Sequence, residues 1–160
     1  MKRWVLWGIL GIIFCVGVYL VVSFYRPHFE KDFILRDLNN RPLRLSSFAG
    51  RPIILVFFSP RCGECKKEAP WLNELYEAYR EDGLVLIGIG IKYPEEIREF
   101  VREQKVEYPV VIDSALSVCK TFEVFFLPHL VFINRQGKIV STATGETPPE
   151  KLKEHLQGIL

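Results

Sequence analysis

The most informative part of the chain is residues 57–70, which read FFSPRCGECKKEAP. The residues that lead into it, Ile53–Phe58, are apolar at every position, as in a central strand that is buried on both faces. The residues that follow, 65–80, carry apolar side chains at helical spacing with charges opposite. The pair Cys62 and Cys65 therefore falls between a buried strand and the start of a helix.

The spacing of the two cysteines indicates their chemistry. Residues three apart at the start of a helix share one face, which brings the two sulfur atoms close enough to bond. Cys62 lies where free backbone N–H groups and the helix dipole favour an anion, so its thiolate is the expected nucleophile. Cys65, one turn further along the helix, is the expected resolving thiol.

Two other interpretations of the pair are open from the residues alone. A structural zinc site usually has four protein ligands, and outside the apolar N-terminal run the chain adds only Cys119 and scattered histidines. Cys119 itself is expected to be a small buried residue rather than a third redox thiol. An inert structural disulfide also fits the spacing. The position of the pair between strand and helix favours redox chemistry over both.

The remaining patterns predict a single α/β domain with a mixed sheet. Asn39 and Asn40 mark the turn of a first hairpin, and Asn134 to Gly137 mark the turn of a second. The expected elements are, in order, a hairpin (33–45), a strand (53–58), a helix (65–80), a strand (84–91), a helix (95–104), a strand (110–112), a helix (115–122), a hairpin (130–133 and 138–143) and a helix (150–160).

The N-terminal region predicts one transmembrane helix. Residues 4–25 carry no charge, and at the helical rise of 1.5 Å per residue they extend about 33 Å, enough to cross a hydrocarbon core of about 30 Å. The run is longer than the apolar region of a signal peptide, so an uncleaved anchor is expected. The predicted organisation is a short tail (1–3), the anchor (4–25), a linker (26–31) and the globular domain (32–160).

The charge of the chain excludes nucleic acid as the main partner. The sequence holds 21 basic and 19 acidic residues, and two of the basic ones, Lys2 and Arg3, precede the apolar run. The globular remainder is therefore formally neutral, whereas binding to nucleic acid requires a basic surface.

These features together resemble one family. The segment 57–70, with Pro70 five residues after the second cysteine, is similar to the active-site segment of the thioredoxin superfamily, and more narrowly to the membrane-anchored TlpA/ResA/CcmG group of thiol–disulfide oxidoreductases. The resemblance extends over residues 32–160 and includes Asp32-Phe33-x-Leu35-x-Asp37-Leu38, Leu45-Ser46, Gly50, Leu127-Pro128 and Asn134 to Gly137. It implies a thioredoxin-like fold, with a mixed central sheet flanked by helices and an N-terminal hairpin.

The resemblance also assigns roles. It implies a redox-active disulfide between Cys62 and Cys65 with no cofactor and no metal. It makes Pro128 a cis-proline facing the pair, with the backbone of Leu127 available to an extended substrate. It makes Glu68 a buried acid that exchanges protons with a thiol, because a poorly solvated carboxyl has a raised pKa. A solvated Glu68 on the helix surface is the alternative.

Two positions depart from the family pattern. Arg61 replaces the usual aromatic residue before the first cysteine, which puts the usual docking surface in doubt and favours acidic partners. His129 follows Pro128, where Thr is commoner, and is expected close to the cysteines. There it would stabilise a thiolate, shuttle a proton, or join Cys62 and Cys65 in binding Cu(I). A partly exposed histidine at the start of a strand is equally compatible with the sequence.

The expected function is reduction of client disulfides outside the cytoplasm, at the outer face of a bacterial inner membrane. By resemblance the clients include apocytochrome c, and the electron donor is a transmembrane carrier of the DsbD/CcdA type. A Cu(I)-binding module is the first alternative. A peroxiredoxin-like peroxidase is the second: Ser59 fits the place where that group has threonine, but Leu55 stands where it has proline.

Overall fold

The computed structural model describes residues 12–19 and 28–160. Residues 12–19 form a helix, α1. Within these two ranges no helix is both long enough and apolar enough to cross a membrane. Most of the anchor expected at residues 4–25, the tail at 1–3 and the first part of the linker lie outside the described residues, so the anchor stays a prediction.

A seven-stranded mixed sheet forms the centre of the domain, as predicted. The strand order is β2-β1-β5-β4-β3-β6-β7, and β3 lies between β4, which is parallel to it, and β6, which is antiparallel. Burial of β3 at all six positions accounts for its unbroken apolar sequence. The strands are β1 Ile34–Asp37, β2 Pro42–Arg44, β3 Ile53–Phe58, β4 Val85–Ile91, β5 Val110–Asp113, β6 His129–Ile133 and β7 Ile139–Thr144.

Four helices and a 3-10 turn cover the two faces of the sheet. The helices are α2 Gly63–Tyr79, α3 Pro94–Glu103, α4 Ser117–Thr121 and α5 Pro149–Gln157, and the 3-10 helix is Leu45–Phe48. Their apolar sides form two cores. The side chains of Ile54, Val56 and Phe58 face α2, α3 and α5. The alternate side chains of β3 face α4 and the first hairpin.

The helix predicted at residues 115–122 begins later than expected, and its start has a local cause. Leu116 adopts a left-handed backbone conformation, with φ of 58°. The buried carboxylate of Asp113 accepts hydrogen bonds from the backbone N–H groups of Ser117, Val118 and Cys119 at 2.9–3.0 Å. These N–H groups have no partner inside the helix, so the aspartate at the end of β5 fixes the start of α4 at Ser117.

The two ends of the sheet have different roles. β3 ends at Phe58, which leads into the cysteine pair, and β6 begins at His129, which lies opposite Phe57. The β6–β7 turn lies at the other end, where Gly137 has a φ of 83° and a Cβ atom would come within 2.9 Å of the His28 carbonyl oxygen. The described chain therefore enters the domain at the end of the sheet opposite the cysteine pair.

Candidate functional site

The cysteine pair sits at the N-terminus of α2 in an asymmetric setting. Cys62 is the N-cap residue, its N–H donates to the Ser59 carbonyl at 3.1 Å, and its sulfur accepts from the Cys65 N–H at 3.2 Å. The two cysteines form a disulfide with their Cα atoms 5.3 Å apart. Cys62 is half-buried, whereas Cys65 is 3% exposed. An incoming disulfide therefore has access to Cys62 and not to Cys65.

Glu68 lies one turn beyond Cys65 and is completely buried, which confirms the predicted burial. Its Oε1 atom accepts a hydrogen bond from the Thr147 N–H at 3.0 Å. Its Oε2 atom has no hydrogen-bond partner among the residues described. Burial raises the pKa of Glu68 to about 7, and the charge of Glu146 acts in the same direction, while the Thr147 hydrogen bond opposes them. The carboxyl can therefore gain or lose a proton near neutral pH, and its proposed part in catalysis stays a prediction.

Two residues around Glu68 were not anticipated from the sequence. Thr147 reaches the acid from the connection between β7 and α5, 79 positions away. Tyr108 is buried in the same core, and its pKa is raised by burial and by the negative charge of Glu68. No local sequence signal marks either residue, because both reach Glu68 only through the tertiary fold.

Arg61 is paired within the protein, and the expected preference for acidic partners stays a prediction. Its Nε atom donates to a carboxylate oxygen of Glu96 at 2.8 Å, and a terminal nitrogen donates to the other oxygen. The guanidinium also stacks on the ring of Tyr93, 3.7 Å from the ring centroid. The Glu96 hydrogen bonds raise the pKa of Arg61 and those of Arg61 lower the pKa of Glu96. Arg61, which directly precedes Cys62, is therefore bound to the start of α3.

The Leu127–Pro128 peptide bond is cis, as predicted. The Pro128 carbonyl accepts from the Gly145 N–H at 2.8 Å, which holds the proline against the end of β7. In the described part of the chain, neither the N–H nor the carbonyl of Leu127 takes part in a backbone hydrogen bond. These groups remain available to an added strand, so the expected substrate-binding role of Leu127 and Pro128 is compatible with the structure.

His129 is separated from the cysteines by the sheet. Its side chain alternates with that of Leu130, and it therefore shares the face of Val131, whereas α2 covers the opposite face. His129 Nδ1 is 2.8 Å from the Thr144 hydroxyl, and burial lowers the pKa of His129. Across residues 12–19 and 28–160 no three His, Cys, Asp or Glu side chains are grouped closely enough to hold a metal ion. His129 therefore begins β6 at the cysteine end of the sheet with its side chain on the face opposite α2, and its expected role at the thiols stays a prediction.

Cys119 is buried in α4, as expected for a small core residue. Burial and the adjacent Asp113 carboxylate raise the pKa of its thiol to about 12. Such a thiol stays protonated and unreactive at neutral pH.

The sequence profile of the AhpC/TSA family matches residues 27–142. The chain belongs to this family. Among curated proteins, it is 30% identical to the thiol-disulfide oxidoreductase ResA of Bacillus cereus, over 92% of this chain and 96% of that protein. It is 29% identical to the ResA of Halalkalibacterium halodurans, over 98% of this chain and 96% of that protein.

Solved structures of two other proteins agree with the fold. StoA from Bacillus subtilis superposes with a TM-score of 0.68 at 25% identity, over 81% of this chain and 98% of StoA. A putative thiol:disulfide interchange protein DsbE from Chlorobium tepidum superposes with a TM-score of 0.76 at 22% identity, over 82% of this chain and 95% of that chain. Together with the disulfide at Cys62 and Cys65, the ResA relatives show that the chain is a thioredoxin-like thiol–disulfide oxidoreductase of the ResA type.

Proposed function

We propose that this enzyme is a membrane-anchored reductase of client disulfides on the extracytoplasmic side of the membrane. The observation that carries the proposal is the asymmetry of the site. Cys62 is accessible, Cys65 is shielded, and a buried carboxyl with a pKa near 7 lies one turn behind. An inert structural disulfide has no need of a buried acid in this position.

The geometry supports a two-step exchange. The Cys62 thiolate attacks one sulfur of a client disulfide and expels the other as a thiolate, which leaves a mixed disulfide between enzyme and client. The Cys65 thiolate then attacks Cys62, expels the second client sulfur and closes the enzyme disulfide. Two electrons pass from the enzyme dithiol to the client disulfide, and two client thiols are released.

Glu68 accepts the proton that Cys65 releases in the second step. Cys65 is buried and must lose its proton before it can attack Cys62. A Glu68 carboxylate, titrating near neutral pH, accepts that proton, and the protonated acid returns it when the enzyme is reduced again. The unpartnered Oε2 atom of Glu68 is free to take up this proton.

The partners follow from the family resemblance. Apocytochrome c, whose haem-binding cysteines must be reduced, is the proposed client. A transmembrane carrier of the DsbD/CcdA type is the proposed electron donor. The relatives named ResA and DsbE support disulfide-containing substrates in general.

The proposed anchor is residues 4–25, which are long and apolar enough to span a bilayer. The described chain enters the domain at His28, at the end of the sheet opposite Cys62, so attachment there leaves the dithiol accessible. Fusion of alkaline phosphatase to the C-terminus should give an active enzyme, because that protein forms its disulfides only in an oxidising compartment. An inactive phosphatase fusion beside a fluorescent GFP fusion would contradict the proposed topology.

Neither alternative gains support. The copper site required His129 together with Cys62 and Cys65, and among the described residues no three side chains of these types are grouped closely enough to hold a metal ion. The peroxidase required a proline at position 55, where Leu55 lies buried in the middle of β3 and pairs with Ile87 and Val131.

Trapping of clients tests the proposed reaction. Cys65→Ser should leave the mixed disulfide unresolved, so that client proteins accumulate on Cys62 and can be identified by mass spectrometry. Cys62→Ser is the matched control, since it lacks the nucleophile and should trap nothing. Equal recovery of proteins on both variants would refute the mechanism.

A further inference from the structure

An aromatic pair protrudes from the connection between α4 and β6. Phe125 is 83% exposed and Phe126 is 73% exposed, the highest values for large apolar side chains among residues 12–19 and 28–160. Apolar side chains of this size are normally buried on folding. Two adjacent exposed rings therefore indicate a surface that something else covers.

The pair is held outwards by its neighbours. Before it, the Val124 N–H donates to the Cys119 carbonyl at 2.9 Å, and the Val124 side chain packs on the core that α4 and the first hairpin cover. After it, Leu127 packs against both cores. The two rings thus project from a short bridge whose two ends are anchored, rather than from a free loop tip.

The position of the pair points to its occupant. Phe126 is directly followed by Leu127 and the cis-proline Pro128, at the end of the sheet where Cys62 lies. Within the part of the chain that the structure describes, the backbone groups of Phe125, Phe126 and Leu127 make no backbone hydrogen bonds. An extended polypeptide that brings its disulfide to Cys62 can pair with this backbone, and its side chains next to the cysteine then come within reach of the two rings.

We propose that Phe125 and Phe126 form a docking surface for the client polypeptide and select clients that carry an apolar or aromatic residue beside the reacting cysteine. The inference rests on the proposed reduction of client disulfides. The rings take no part in the electron transfer; they contribute contact area that is available only when a polypeptide flanks the disulfide.

The test compares disulfides that differ only in their flanking residue. The probes are two peptide homodisulfides, whose single cysteine is preceded by Phe in one and by Ser in the other, together with oxidised glutathione. The reduced full-length protein in detergent is mixed with each probe, and the rate of thiol release is measured. We expect the Phe peptide to react at least tenfold faster than the Ser peptide, and Phe125→Ser/Phe126→Ser to abolish that preference while leaving the glutathione rate unchanged.

A matched control is Val140→Ser, which removes another exposed apolar side chain, from β7. It should keep the full preference for the Phe peptide. Equal rates for the two peptides in the wild-type protein, or a preference that survives in the double variant, would overturn the inference. Failure to reduce any probe, including glutathione, would instead contradict the proposed function.

Hydrogen exchange distinguishes a peptide from a lipid occupant. Binding of the Phe peptide to the Cys65→Ser variant should slow exchange of the amides of residues 124–127. Slower exchange on reconstitution into phosphatidylcholine vesicles without any peptide would assign Phe125 and Phe126 to the bilayer, and the docking proposal would then be wrong.

Discussion

The buried carboxyl of Glu68 should make the stability of the domain depend on pH. The pKa of Glu68 is about 7 in the folded protein against 4.5 for an unperturbed glutamate. Between these values the unfolded chain loses its proton while the folded protein keeps it, so the folded state binds more protons and its stability falls as pH rises. The contribution is fully present below pH 4.5 and lost as pH passes through 7.

The size of this effect follows from the shift. One pKa unit corresponds to about 1.4 kcal/mol, so the raised pKa of Glu68 corresponds to a fall of about 3 kcal/mol in the free energy of unfolding as pH rises through the titration. Glu68→Gln keeps the shape of the protonated acid and its acceptor for the Thr147 N–H, and it cannot ionise. Relative to wild type, the free energy of unfolding of the variant should therefore rise by about 3 kcal/mol between about pH 4.5 and about pH 8.

Urea denaturation of the oxidised protein at a series of pH values measures the difference. Glu64→Gln is the control, because Glu64 is exposed in the same helix and its replacement should leave the wild-type pH dependence intact. Parallel stability curves for wild type and Glu68→Gln would show that the buried carboxyl does not titrate between pH 4.5 and 7, and the argument for its role in proton exchange would fail with it.

The site supports three further predictions. Brief iodoacetamide treatment of the reduced protein should modify Cys62 before Cys65, since only Cys62 is accessible; peptide mapping measures the ratio. Glu96→Gln should lower the apparent pKa of the Cys62 thiol, because Arg61 loses its neutralising partner; the pH dependence of alkylation measures the change. Asp113→Asn should lower the free energy of unfolding by about 2 kcal/mol, because its charged hydrogen bonds to α4 are lost; urea denaturation measures the loss.

Each of these predictions has an outcome that contradicts it. Preferential labelling of Cys65 would reverse the assigned roles of the two thiols. Glu99→Gln changes a carboxylate on the same helix that pairs with Arg102, so an equal pKa change in that variant would show a general charge effect rather than release of Arg61. An Asp113→Asn protein as stable as wild type would remove the aspartate as the cause of the α4 start.

The fold was predictable where short sequence patterns decide it. The unbroken apolar run of β3 and the glycine-containing turn after β6 each specify their element locally, and both were found at the expected place. The start of α4 was not found at the expected place, because it depends on the Asp113 side chain, which accepts hydrogen bonds from the first N–H groups of the helix. Helical periodicity carries no information on such a cap.

In the candidate site, too, local sequence marks some features, and tertiary contacts determine the others. The cysteine pair and the cis-proline are marked by local sequence, whereas the bond from Thr147 to Glu68 joins segments 79 residues apart. Arg61 appeared free because Glu96 lies 35 positions away. His129 was expected near the thiols because it directly follows the cis-proline. The alternation of side chains along β6 instead turns it to the other face.

One short segment links Glu68 to the cis-proline Pro128. The Gly145 N–H donates to the Pro128 carbonyl at 2.8 Å, and two residues later the Thr147 N–H donates to Glu68 at 3.0 Å. The connection between β7 and α5 therefore sets the position of the buried carboxyl and of the cis-proline together. A hydrogen bond to a carboxylate is stronger than one to the neutral acid, so ionisation of Glu68 tightens this connection and protonation loosens it. In the proposed mechanism, the proton that Cys65 gives up in resolution thus arrives at a group bonded to the segment that supports the proposed client-binding backbone.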